Sequence, residues 1–220
     1  MAQITSGIRS ILSHPAMYNF TQNFLGVRKA RRILTSEYFP NKKGLRILDI
    51  GCGTAEILEF LPEDIHYVGF DASMQYIEQA RQRFGNRGEF FSELVNSAHL
   101  NHLGKFDVVL AFGVLHHLDD PETAMLFDLA VEALDHNGSV ITVDPCFCPE
   151  QSAIARWLIE HDRGQDVRNE NGYCQLASTH FSNITSTLRH DLLRVPYTYL
   201  IMNCKNEAEQ SATSDASEHQ

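Results

Sequence analysis

The strongest constraint on the fold is a short apolar run that ends in a glycine turn, with an acid twenty residues further on. Arg46-Ile-Leu-Asp-Ile50 reads as a strand buried on both faces, and Gly51-Cys-Gly53 turns the chain behind it. Glycine has no Cβ, so the backbone at such a turn can approach a ligand closely. Asp71 closes a second apolar run, Tyr67-Val-Gly-Phe70, and lies twenty residues after Gly51. An acid at that spacing can accept two hydrogen bonds from a ribose diol, so turn and acid together point to an adenosine-containing ligand. Glu56 occupies the third glycine position of a G-x-G-x-x-G pattern. A carboxylate there crowds helix packing and repels a pyrophosphate, which favours a ligand without phosphates.

Strands and helices alternate around this turn. A helix over 54–61 is stopped by Pro62. A second is capped by Ser73 and carries Met74, Ile77, Ala80 and Phe84 on one face. Phe90-Phe91 marks a third strand and residues 106–111 a fourth. Asp120 is expected as a cap with Pro121 at the first helical position, before an apolar face that ends at Gly138. Residues 139–143 form a fifth strand, ending at Asp144. Such alternation predicts an α/β, doubly wound, mostly parallel sheet with helices on both faces. Ligands in such sheets sit beyond the carboxyl ends of the strands, where Asp49, Asp71, Glu93, His116, His117 and Asp144 all fall. The expected organisation is one domain over 1–204, with a helical N-terminal cap (1–44) and a lid (145–180). A tail over 205–220, nearly devoid of large apolar residues, is expected to be disordered.

At this point the sequence resembles a family. Ile47-Leu-Asp-Ile-Gly-Cys-Gly-Thr54 is similar to the first motif of class I S-adenosylmethionine-dependent methyltransferases, and Val68-Gly-Phe-Asp-Ala-Ser73 to their second-strand motif. Phe106-Asp-Val-Val-Leu-Ala-Phe-Gly-Val-Leu-His-His-Leu118 with Asp120-Pro121 resembles the fourth-strand motif, and Leu134-Asp-His-Asn-Gly-Ser-Val-Ile141 the start of the fifth strand. The likeness covers residues 45–145, with Ala55 where many members carry a third glycine. It implies S-adenosyl-L-methionine as cofactor and a seven-stranded sheet closed by a C-terminal antiparallel hairpin, expected over 184–188 and 195–204. It also implies that Asp49, Gly51, Cys52 and Gly53 hold the methionine end. Asp71, with Ala72 and Ser73, would hold the ribose; Glu93 and Leu94 the adenine; Phe112 and Gly113 would line the cofactor after the fourth strand.

Methyl transfer to a protonated oxygen or nitrogen can require a base, and His117, with His116, titrates in the right range. The bland alternative is that both histidines pack against the pocket. Asp144 either orients a substrate or caps a strand. Tyr18, Cys146, Phe147 and Arg163 are weaker candidates for the acceptor side. Arg168 is expected either to bind an anion or to be solvated, and Trp157 to be core of the lid. Tyr18, Phe20 and Phe24 either close over the cofactor or only anchor the first helix.

Composition narrows the function. Lys and Arg total 18 against 28 Asp and Glu, a net charge of −10, which disfavours a nucleic-acid partner and favours a small-molecule methyl acceptor. Five cysteines, an odd count, do not suggest a disulfide framework, and Cys146-Phe-Cys148 lacks the usual zinc spacing, so no metal is expected. No run is long and apolar enough for a membrane span, and the N-terminus has no signal pattern, so the expectation is a cytoplasmic protein. Monomer and homodimer stay open. The alternatives are a tRNA, protein, polysaccharide or lipid acceptor, a nicotinamide-dependent dehydrogenase, or a non-catalytic nucleoside-cofactor-binding protein.

Overall fold

The computed structural model describes residues 26–162 and 164–206. Along the chain run α1 (Val27–Glu37), β1 (Arg46–Ile50), a 3-10 turn (Glu56–Phe60), β2 (His66–Phe70), α2 (Met74–Phe84) and β3 (Gly88–Phe91). Then come α3 (Ser97–Leu103), β4 (Phe106–Phe112), a second 3-10 turn (Leu115–His117), α4 (Asp120–Ala133) and β5 (Leu134–Pro145). The chain finishes with α5 (Ala153–Glu160), α6 (Glu170–Ser178), β6 (Asn183–Arg189) and β7 (Tyr199–Lys205).

The strands form one sheet in the order β3-β2-β1-β4-β5-β7-β6. The first five pair in parallel, and β7 lies antiparallel between β5 and β6. Strand order reverses between β1 and β4, so their carboxyl ends flank the crevice where ligands bind in such sheets. Alternation along β1 divides the core. Leu48 and Ile50 join the cluster beneath α4 and α6, whereas Ile47 joins the one with Ala30 and Leu34 of α1 and Ile77 and Ala80 of α2. α2 forms as its sequence dictates: Ser73 Oγ accepts from Tyr76 N, and Ile77, Ala80 and Phe84 are buried.

Four expectations are corrected. The helix over 54–61 is only a 3-10 turn, because Ala55 enters it in the left-handed region (φ 54°) and Pro62 closes it two residues later. The cap of α4 is Asp119, in a reciprocal capping box with Glu122, so Pro121 sits one position further in. Gly138 does not stop α4: the helix ends at Ala133, and Gly138 lies inside β5 with its missing Cβ position 2.9 Å from Phe106 O. The lid region carries two short helices, and Trp157 of α5 is 56% exposed, not lid core. The first part of the N-terminal cap (1–25) and the tail (207–220) lie outside the described residues. No helix among the described residues is long and apolar enough to cross a membrane.

Candidate functional site

The carboxyl ends of β1 and β2 form one side of the crevice. The amides of Gly51 and Cys52 donate to Phe70 O at 2.8 and 3.0 Å, tying the turn to the end of β2. Gly51 has φ 75°, and a Cβ there would meet Val114 Cγ2 at 2.6 Å. Gly53 (φ 55°) is the reverse case: no atom lies within 4 Å of its missing Cβ, so its backbone faces open space. Asp71 braces this turn, accepting from Gly53 N at 2.9 Å and from Ser73 N at 2.8 Å, one bond to each oxygen. A carboxylate has about four acceptor positions, so two remain for a pair of hydroxyls. Met74 and Leu94 follow β2 and β3 and are 64% and 63% exposed, apolar surface that a flat aromatic ligand could cover. Ala72 is exposed, while the Ser73 hydroxyl is committed to its helix. Glu93 is exposed, 3.4 Å from His99 Nε2.

Beneath the turn, Asp49 is buried and its Oδ2 accepts from Tyr67 Oη at 2.5 Å. Burial pushes its carboxyl up to about 7, against the opposing effect of the Tyr67 hydrogen bond. Its Oδ1 has no donor, an acceptor that suits the ammonium of an amino-acid end. The Cys52 thiol fills the space left by Gly69 and is held neutral by burial, which makes it a packing side chain. An open glycine backbone, a braced carboxylate with spare acceptor positions, exposed apolar flanks and an unpaired buried acceptor suit a nucleoside joined to an amino acid.

The other side is made by β4 and β5. Gly113 turns with φ 68° and donates to Val143 O at 2.7 Å, with Phe112 half-buried before it. The 3-10 turn then presents two histidines whose rings lie 4.0 Å apart. His116 is buried, and its Nδ1 lies 2.8 Å from Asp144 Oδ1, which also accepts the His116 amide at 3.2 Å. Nε2 has no partner among the described residues, and the side chain is 7% exposed. Asp144 Oδ2 is buried without a donor. His117 is exposed. Of the two histidines, His116 is the one that Asp144 orients.

The segment after α5 closes over this pair. Asp166 N donates to His116 O at 3.1 Å, and a Cβ on Gly164 would come within 2.1 Å of His116 Cδ2. Arg168 is largely buried and engaged within the chain. It donates to Asp120 Oδ1 at 2.6 Å and to the carbonyls of Leu115, Leu118 and Asp166 at 3.2, 2.9 and 2.9 Å, fastening the segment to the histidine turn. Cys146 is fully buried, its thiol pushed up to about 12 by burial, so it offers no side-chain contact to an acceptor. Phe147 is half-buried under Arg156, 5.4 Å from its ring. Trp157 stacks on His161 at 4.4 Å. Tyr18, Phe20, Phe24 and Arg163 lie outside the described residues. No group of three metal-ligating side chains is found among the described residues. The parts that sequence reasoning missed, Gly164 and the bracing by Arg168, join positions 48 to 53 residues apart and have no local signature.

Residues 48–140 match the family described as methyltransferase domain. A curated relative from Sulfurimonas denitrificans, named tRNA U34 carboxymethyltransferase, is 30% identical over 163 residues, 71% of this chain and 50% of that protein. The chain spans about half the length of the curated relatives it matches first. Among solved structures, the pyocyanin biosynthetic protein PhzM superposes with a TM-score of 0.68 at 16% identity, covering 92% of this chain and 62% of that one. A SAM-dependent methyltransferase from Archaeoglobus fulgidus gives 0.65 at 18% identity, covering 86% and 99%.

Proposed function

We propose that this chain, which carries a class I methyltransferase domain, transfers a methyl group from S-adenosylmethionine to an oxygen, nitrogen or carbon atom of its acceptor, with His116 taking the proton where the acceptor brings one. When bound, the cofactor supplies a methyl on a positively charged sulfur that is already a good leaving group, so the protein's task is alignment. The residues divide that task. The Gly51–Gly53 backbone and Asp49 receive the amino-acid end, Asp71 takes the ribose hydroxyls with its spare acceptor positions, and Met74 and Leu94 flank the base.

The observation that carries the proton-transfer part is the buried contact of His116 Nδ1 with Asp144 at 2.8 Å. Donation from Nδ1 fixes the tautomer and leaves Nε2 with a free lone pair. Nε2 is then the nitrogen placed to take a proton from an acceptor hydroxyl or amine. The orphaned Asp144 Oδ2 offers a second acceptor to a substrate hydroxyl or a water. Residues 164–168 close over the pair and limit water, which strengthens each of these interactions.

The acceptor is read as a small molecule on the acidity of the chain. A second reading, an RNA acceptor, is supported by the names of the curated relatives. The test is direct. Calorimetry should show binding of S-adenosylmethionine and its demethylated product, and labelled methyl should pass into either a metabolite extract or an RNA extract. Binding of NAD in place of S-adenosylmethionine would refute the proposal.

A further inference from the structure

A cleft of about 550 Å³ on the described surface is lined by Gly26, Arg28, Lys29, Arg32 and Arg194. Four of those five residues are cations, in a chain whose net charge is −10. They come from two elements. Arg28, Lys29 and Arg32 lie on the first turns of α1, and Arg194 lies in the loop between β6 and β7. Gly26 lets the elements meet: with φ 90° and no side chain, it accepts the Arg194 Cγ 3.0 Å from where its Cβ would be.

The position matters as much as the charge. Pro145 pairs with Tyr199 in the sheet, so the β6–β7 loop stands on the rim formed by the carboxyl ends of the parallel strands. The first turn of α1 touches that loop, which puts the cleft on the same rim as the glycine turn and Asp71. Two of the cations are already engaged: Arg28 pairs with Glu59, and Lys29 Nζ donates to Asp191 O at 2.8 Å. Arg32 lies over the Phe60 ring at 5.8 Å, and neither it nor Arg194 has an anionic partner among the described residues. Both are exposed, and their guanidinium groups present forked donors suited to phosphate oxygens.

We infer that this cleft binds phosphate groups of the acceptor, with Arg32 and Arg194 as the principal ligands. The inference rests on the methyl-transfer reading for its meaning, because a phosphate held on this rim anchors a substrate beside the transferring site. Phosphate has two sources here, a polynucleotide backbone or a phosphorylated small molecule, and they separate experimentally. Carrying several phosphates past the rim, a polynucleotide binds with a steep salt dependence, whereas a single phosphoryl group does not.

The experiment titrates the full chain with labelled single-stranded RNA by anisotropy and with inorganic pyrophosphate by calorimetry. The variants are Arg32→Gln/Arg194→Gln and, on the opposite rim just before β1, Lys43→Gln. The double variant should lose at least tenfold in affinity, about 1.4 kcal/mol, and Lys43→Gln less than twofold. RNA binding with that pattern supports the polynucleotide source; pyrophosphate binding with that pattern and no RNA binding supports the small acceptor. Absence of binding to both probes, an unaffected double variant, or an equal loss in Lys43→Gln overturns the inference. Cofactor binding and thermal melting on the same samples keep the two readings apart. A parent chain that binds phosphate but not S-adenosylmethionine sinks the methyltransferase reading and leaves the phosphate cleft standing.

Discussion

On the side of the crevice formed by β1 to β3, the strand-end carboxylate Asp71 is held by backbone amides within twenty positions of it and left within reach of solvent. The side formed by β4 and β5 instead buries a carboxylate-bound histidine against residues 164–168. Asp71 is braced by two amides, at positions 53 and 73, and keeps free acceptor positions. Asp144 Oδ1 is spent on His116, and Gly164 and Arg168 hold that turn from a distant part of the chain. An open, backbone-made half suits a ligand that binds and leaves; a sealed, side-chain-made half suits a proton transfer that water would short-circuit. The division predicts that binding and turnover can be damaged separately.

His116→Gln tests that separation most severely. Loss of a general base should lower turnover by roughly 10²–10⁴-fold while cofactor affinity stays within about twofold, since the residue lies outside the nucleoside half. Single-turnover methyl transfer beside calorimetry measures both, and equal losses would collapse the two halves into one. Asp49→Asn probes the buried link beneath the open half. Burial raises the Asp49 carboxyl from 3.8 to about 7, so the folded state holds its proton more tightly than the unfolded chain does. The stability this contributes is complete below about pH 4 and is lost as pH rises through 7, by up to roughly 4 kcal/mol. Urea denaturation at pH 5 and pH 8 should show that loss in the parent, and it should be much reduced in the variant; the same pH dependence in both would remove Asp49 as its source. Asp71→Ala has the smallest expected effect, about tenfold weaker cofactor binding with the β4–β5 side unaltered. An unchanged affinity would take Asp71 out of the ribose role.

The same contrast explains what is legible in the sequence. The turn, the strand-end acid and the parallel alternation follow from residues within about twenty positions of one another, so Gly51, Gly53 and Asp71 stand out as a group from spacing and residue type alone. Local chemistry also determines the Ser73 cap and the buried face of α2. The failures have physical reasons. Ala55 accepts a left-handed backbone conformation that its side chain disfavours, which reduces the helix after the turn to a 3-10 turn. Asp119 outcompetes Asp120 as cap because Glu122 can reciprocate. That His116 turns inward and His117 outward depends on Asp144, 28 residues away, and no pattern around the two histidines reveals it. Trp157 stands exposed because α5 buries Ala155 and Ile159, on its opposite side.

The hydrogen bonds of Arg168 to four residues carry a mechanical consequence. The cover over the histidine and the turn that presents it are joined by the Arg168 guanidinium and by the Asp166–His116 backbone bond, so displacing the cover breaks contacts to the carbonyls of Leu115, Leu118 and His116. On the methyl-transfer reading, an opening that admits bulk solvent would also release the backbone that holds His116 in place.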